Sequence, residues 1–294
     1  MKRDHWRKVN ERLDADRDFV EIYRNLSVME FQWDMLQALS FALFRTYAVP
    51  GIGALLDETR AFGDETQKRY DDTVLLLEPP SLLGFDHPEA RAAIRRINQM
   101  HRSYDIPDHE MRYVLSTFVV VPKRWMDDYA KRPLSSQELR ASVNYYRELG
   151  THMGIRNIPE TYEGFADLMD SYEAEHFGYD AGGRRVADAT LALMLTFYPR
   201  PLRRLVELFS RALMDEPLLE AFGYARPPSW FVRLSRAGLA LRGRFAGLLP
   251  ARRRQRTALD HPRIRSYPDG YRIEELGTFP GGGCPMPHAQ RQTG

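Results

Sequence analysis

IRRINQMHRSYDIPDHEMRYVLSTFVVV, residues 94–121, decides the fold class. In its first part Ile94, Ile97, His101 and Tyr104 return every three or four residues, continuing Ala90 upstream, which is the spacing of one helical face. Ile106-Pro107-Asp108 ends that helix and caps the next. From Tyr113 to Val121 the chain is apolar on nearly every side, so the second helix belongs to the interior, with Pro122 kinking or ending it. Nothing in the stretch alternates with the period of two that a strand requires.

The same pattern repeats on either side. Upstream, Asp86 as N-cap, Pro88 in the first turn and Glu89 three residues after the cap mark a helix start. Pro79-Pro80 breaks the chain before it, and 31–47 and 52–62 are apolar segments separated by Pro50-Gly51. Downstream, Ser135 and Glu138 form a capping box ahead of Leu139, Val143, Tyr146 and Leu149. Phe165, Met169, Tyr172 and His176 define another stripe, and 184–198 reads as a buried helix closed by Pro199 and Pro201. Leu205, Phe209 and Leu213 mark a further helix. The sum is an all-α, single multi-helix domain of six to nine helices. One β-like signal stands late: IRSYPDGYRI, 264–273, can close as a small C-terminal hairpin across Pro-Asp-Gly. The predicted organisation is a charged N-terminal segment over 1–16, the helical domain over 17–225, a basic amphipathic helix and extension over 226–280, and a flexible tail over 281–294.

Composition limits the function classes. With 43% apolar and 12% aromatic residues among 294, the chain can bury a large core, and a net charge of +2 says little about partners. No apolar run reaches the length of a transmembrane helix, and the charged N-terminus lacks the apolar middle of a signal peptide, which predicts a cytoplasmic protein. Cys284 is the only cysteine, which excludes a multi-cysteine metal site and the two-cysteine attachment of c-type haem. Any metal is then held by His, Tyr or carboxylates, or inside a non-covalent cofactor.

Of eight histidines, His101 and His176 lie on apolar stripes and are predicted to point inward. The ordinary explanation of either is a core imidazole bonded to a backbone carbonyl. The sharper one is a haem ligand: a neutral imidazole binds iron while bulky apolar side chains line a slot for the porphyrin. The helix of His101 also carries Arg91, Arg95, Arg96 and Arg102. Arg96 lies about 140° around the helix from His101, so it reaches the edge of such a slot but not its floor. A solvated helix face is the plainer account of any one of these arginines. The competing metal reading is a di-iron carboxylate bundle, whose Glu-x-x-His pair appears once, as Glu173 and His176, where two are needed.

The stretches TRAFGDETQKRYDDT, IRRINQMHRSYDIPDHEMRYVLSTFVVVPKRW, RPLSSQE, YYRELGTHMGIRNIPETYEGF, MDSYEAEHFGY and RRVADATL follow one another in this order. Together they resemble the catalytic domain shared by MpaB oxygenases and latex-clearing rubber oxygenases, in its MpaB-like bacterial branch, over about residues 45–225. The resemblance implies a partly globin-like helical core, haem b as the iron cofactor, and O₂ chemistry on a lipophilic, prenyl-like alkene. It also sets Arg96 and His101 beside the haem, since the latex-clearing branch carries an Arg followed five residues later by a His. That branch takes its axial ligand from a histidine on the following helix, a position that falls on Tyr113 or Leu115 here. His101 is therefore the first candidate ligand, His176 the second, and Tyr113 a third as a phenolate; Arg95 and Thr117 complete the candidate cofactor contacts. Fungal relatives carry a membrane anchor that this chain is not expected to have, and polymeric rubber is not the expected substrate. A non-haem di-iron oxygenase and a non-catalytic haem or lipid carrier are the alternatives.

Between Ala221 and Leu259 no acidic residue occurs, while arginines stand at 226, 233, 236, 242, 244, 252, 253, 254 and 256. Trp230, Leu234, Ala237, Leu241, Phe245 and Leu248 recur among them at helical spacing. This fits peripheral contact with an anionic membrane through 227–256, or equally a packed helix followed by a basic loop. No nucleic-acid module is recognisable and none is expected as a partner.

Overall fold

The computed structural model describes residues 1–279. The predicted flexible tail, with Cys284, lies outside those residues. The described chain is helix after helix: α1 (His5–Asn10), α2 (Phe19–Arg24), α3 (Gln32–Thr46), α4 (Pro50–Glu58), α5 (Ala61–Asp64), α6 (Thr66–Leu83) and α7 (Pro88–His101) come first. They are followed by α8 (Asp108–Tyr129), α9 (Ser136–His152), α10 (Tyr162–His176), α11 (Ala181–Thr196), α12 (Arg203–Leu213), α13 (Glu216–Ala221) and α14 (Ser229–Ala246). No strand occurs among the described residues, and the all-α class holds.

The interior helix read from 113–121 is the axis of the fold: α8 packs against α3, α9, α10 and α14. Its apolar run does not end at Pro122, which sits inside the helix. α9 starts on the predicted capping box, with Ser135 and Glu138 satisfying each other's backbone N–H groups. α7 starts one residue later than predicted. His87 is its N-cap and accepts from the Glu89 N–H at 3.3 Å, while Asp86 pairs with Arg91 at 2.8 Å.

Two expectations are overturned. Pro79 and Pro80 do not break the chain but lie inside α6, which runs to Leu83 and stops where Gly84 takes φ +83°. A proline inside a helix removes a backbone bond, yet both rings are buried beside Leu75 and Leu76, and that packing offsets the loss. The hairpin at 264–273 does not form. The Pro-Asp-Gly turn closes, with the Gly270 N–H donating to the Tyr267 carbonyl at 3.2 Å, but the N–H groups of Arg265 and Ser266 donate to Asp71 Oδ2 at 3.0 and 2.8 Å, and further on Gly277 N–H donates to Asp72 Oδ2 at 2.9 Å. Asp71 and Asp72 are buried on α6. Their acceptors outcompete a partner strand and clamp the C-terminal segment onto α6 and α7.

Three apolar clusters result. The largest surrounds α8, with Phe31, Met35, Tyr113, Val120, Trp125 and Phe165. A second joins Phe44 and Tyr47 of the α3 region to Val186, Leu218 and Phe222. The third ties Leu75, Leu76, Ile97 and Met100 to Ala258, Leu276 and Phe279 of the C-terminal segment. The clusters share a boundary, and a cavity lies on it.

Candidate functional site: an apolar cavity with one unpaired imidazole

The cavity is about 400 Å³, within the usual range for small-molecule sites, and is walled mainly by carbon. Met35, Leu39 and Leu43 of α3, Val114 and Phe118 of α8, and Leu149 of α9 form much of the wall. The C-terminal segment closes one side with Arg256, Thr257, Ala258 and His261.

His101 enters this wall from the last turn of α7. Its Nδ1 is buried and has no hydrogen-bond partner. Burial, with a smaller contribution from the nearby Arg69 guanidinium, pushes its pKa down from 6.5 to about 4. At neutral pH the ring is uncharged, which is the state an imidazole needs to ligate a metal. An unpaired buried polar atom costs roughly 1–3 kcal/mol and is uncommon in a native interior.

Other polar groups on the wall were not singled out from the sequence. Glu78 of α6 accepts from the Ala258 N–H, yet burial pushes its pKa up to about 7 against that bond, and Asp260 and Glu89 add to the rise. Glu110 at the start of α8 is also raised by burial, opposed by His109 and His176. Arg69 supplies a cation. Glu78 stood beside prolines read as a break, and Glu110 stood in a first helical turn where acids are commonplace. Only packing distant in sequence turns either toward the cavity.

The remaining predicted residues lie elsewhere. Arg96 is buried, but its Nε donates to the Leu276 carbonyl at 2.6 Å, one terminal nitrogen donates to Gln99 at 3.0 Å, and its guanidinium lies 4.3 Å from the Phe279 ring centre. It holds the C-terminal segment rather than facing the cavity. Arg95 is exposed. Thr117 is buried and donates to the Val114 carbonyl at 2.7 Å.

His176 and Tyr113 share a second cluster behind α8. The His176 ring stacks on Tyr172 at 4.0 Å and its Nδ1 lies 3.0 Å from the Tyr172 carbonyl, while Tyr113 stacks on the same Tyr172 at 4.6 Å. The Tyr113 hydroxyl donates to Glu173 at 3.1 Å; burial and then the Glu173 charge hold the phenol far above its ordinary pKa of 10, so it stays protonated. Glu173 is in turn held by Arg45, whose Nε donates to it at 2.8 Å and which also pairs with Asp215. The structure thus brings His101 to the cavity and places His176, Tyr113 and Glu173 together in a separate, internally paired cluster. Among the described residues no three His, Cys, Asp or Glu side chains converge as metal ligands.

The family model described as "ER-bound oxygenase mpaB/B′/Rubber oxygenase, catalytic domain" matches residues 28–243. The chain belongs to this family. The match is broader at both ends than the quoted motifs and spans α3 to most of α14, although the wall residues at 256–264 lie beyond it. ER-bound oxygenase mpaB′ of Penicillium brevicompactum is 30% identical over 74% of this chain, and ER-bound oxygenase mpaB of Penicillium roqueforti is 29% identical over 71%. ER-bound oxygenase mpaB of P. brevicompactum is 30% identical over 73%. The matches cover 56%, 76% and 59% of those relatives' own lengths. No single helix among the described residues of this MpaB-family chain is long and apolar enough to cross a membrane.

Proposed function

We propose that this chain is a haem b-dependent oxygenase that oxygenates or cleaves a lipophilic, prenyl-like alkene, with His101 as the residue that holds the cofactor. One observation carries the reading: a neutral imidazole with an unpaired buried nitrogen lies on the wall of an apolar cavity. Membership of an oxygenase family supports the reaction class. The donor set fits haem better than a di-iron centre, because the Glu173–His176 pair is committed to Arg45 and Tyr172.

Bound haem b would supply the activation of O₂. The protein's own part follows from its side chains. His101 stays uncharged because the cavity desolvates it, so its lone pair is available at neutral pH. Arg69 and Arg256 are the cations on the wall suited to carboxylate groups of a cofactor. Met35, Leu39, Val114 and Phe118 keep water away from an alkene and restrict its orientation. Glu78, with its pKa near 7, can hold or release a proton at its carboxylate within the operating range. Placing both atoms of O₂ across a carbon–carbon double bond yields two carbonyl groups, so that cleavage is balanced in atoms.

The test is spectroscopic and then chemical. Purified chain reconstituted with hemin is expected to show a Soret band at one haem per chain, and to consume O₂ with prenylated substrates under reducing conditions. Iron without a Soret band points to the di-iron alternative. Haem binding with no substrate-dependent O₂ uptake points to a carrier on the same fold.

A further inference from the structure

α14 is rotated by its own glycine. A Cβ on Gly243 would stand 2.1 Å from the Tyr129 carbonyl oxygen and 2.9 Å from that of Ala130, so only glycine lets the helix lie against the end of α8. Phe231, Ser235, Leu239 and Gly243 form the buried face. The opposite side is then obliged to face outward, and it is not polar. Trp230, Leu234, Leu241 and Phe245 recur on it at intervals of four, seven and four, and Leu248 and Leu249 continue past the helix end. All six are between 51% and 65% exposed.

An ordinary surface helix buries its apolar stripe; a contiguous exposed stripe of large side chains marks a surface that meets something apolar. Its charge says what. No acidic residue occurs from Ala221 to Leu259. Arg233 and Arg244 are exposed on the strip beside the apolar one, and Arg253 and Arg254 follow on the exposed arm. Among the described residues no carboxylate pairs with these four, unlike Arg242, which pairs with Asp34 at 2.6 Å. A second copy of the chain docked on this face would bring like charges together. An anionic bilayer supplies both the apolar phase and the opposite charge.

We propose that the outer face of α14 and the following turn form an interfacial membrane-docking surface, with Trp230, Leu234, Leu241, Phe245 and Leu248 inserted among acyl chains and Arg233, Arg244, Arg253 and Arg254 on anionic headgroups. The same arm continues into Arg256, Thr257 and Ala258, which line the cavity, so the docked surface and the cavity wall are one covalent stretch. The proposal does not depend on the cofactor, and its readout is binding alone.

The full chain is incubated at low salt with vesicles of phosphatidylcholine alone and of phosphatidylcholine mixed with phosphatidylserine, then sedimented. The expected result is co-sedimentation with the anionic vesicles and little with the neutral ones. Leu234→Ser with Phe245→Ser, both solvent-facing, is expected to abolish binding while leaving the melting temperature in place. Arg233→Gln with Arg244→Gln is expected to weaken binding to anionic vesicles about thirtyfold. The idea fails if the unmodified chain stays in the supernatant, or if either double substitution binds as the unmodified chain does. It also fails if the apolar pair instead mediates self-association that Leu234→Ser with Phe245→Ser removes.

Discussion

His101 and Glu78 sit on one cavity wall with opposite consequences for stability. His101 titrates at about 4 in the folded chain against an ordinary 6.5, so the unfolded chain binds more protons between those values and stability falls as pH drops through that window. Glu78 titrates at about 7 against 4.5, so the folded chain binds more protons there and stability falls as pH rises through 4.5 to 7. Each effect is on the order of 3 kcal/mol, and in the unmodified protein they largely offset one another across the shared range. Glu78→Gln is therefore expected to raise the melting temperature at pH 8 and leave it nearly unchanged at pH 4.5. His101→Leu, which removes both the unpaired nitrogen and the acid-side loss, is expected to stabilise the cofactor-free chain, more at pH 4.5 than at pH 8. Thermal unfolding followed by circular dichroism at the two pH values reads both; parallel curves for the variants and the parent would contradict the assignment of these shifts.

The second cluster makes a different prediction at the same scale. Glu173 is buried and paired with Arg45, itself well covered. Arg45→Met leaves that carboxylate without its cation and should cost about 3–5 kcal/mol. Adding Glu173→Gln should recover part of the loss, since the remaining group is neutral. Chemical denaturation of the two variants measures the recovery, and no recovery would mean that the Arg45–Asp215 contact carries the effect instead.

Among elements, α14 gives the sharpest contrast because it holds two informative glycines. Gly238→Ala meets nothing within 4 Å and should stabilise the helix by about 0.5–1 kcal/mol. Gly243→Ala meets the Tyr129 carbonyl and should cost about 1–3 kcal/mol. Equal melting temperatures for the two variants would show that α14 is not seated on α8 as described. The same element shows how far local sequence reading reaches. Periodicity located α14 and its apolar stripe, but a stripe does not say whether it faces a neighbour or solvent; the glycine on the other side does. In α6 the local signal pointed the wrong way, because the rule against interior proline is a local cost while the burial of Leu75, Leu76, Pro79 and Pro80 is a tertiary gain. The Pro-Asp-Gly turn forms without its hairpin for a similar reason: Asp71, the acceptor that captures the backbone of Arg265 and Ser266, lies nearly two hundred residues away.

At the level of the whole molecule, an all-α domain was legible from caps and periodicity, and the family from motif order. The candidate site was legible in part. The stripe of Ile94, Ile97 and His101 placed an imidazole inward, and His101 lies on the cavity wall. The stripe of Phe165, Met169 and His176 rests on the same logic, yet His176 stacks on Tyr172 in another part of the interior. Periodicity identifies an inward face; it cannot say which of several interior regions that face meets. Glu78, Glu110 and Arg69 became visible only when α6, α7, α8 and the C-terminal segment closed around one space.

The claim that His101 holds haem in this cavity is tested most directly by titrating hemin into the purified chain and its His101→Ala variant, followed by absorption. The parent is expected to show a saturable Soret band at one haem per chain. In the variant the band should be shifted and the haem readily lost to a competing apoprotein, with the helical circular-dichroism signal intact. A parent chain that stays colourless, or a variant with the parent's spectrum and haem content, would contradict it.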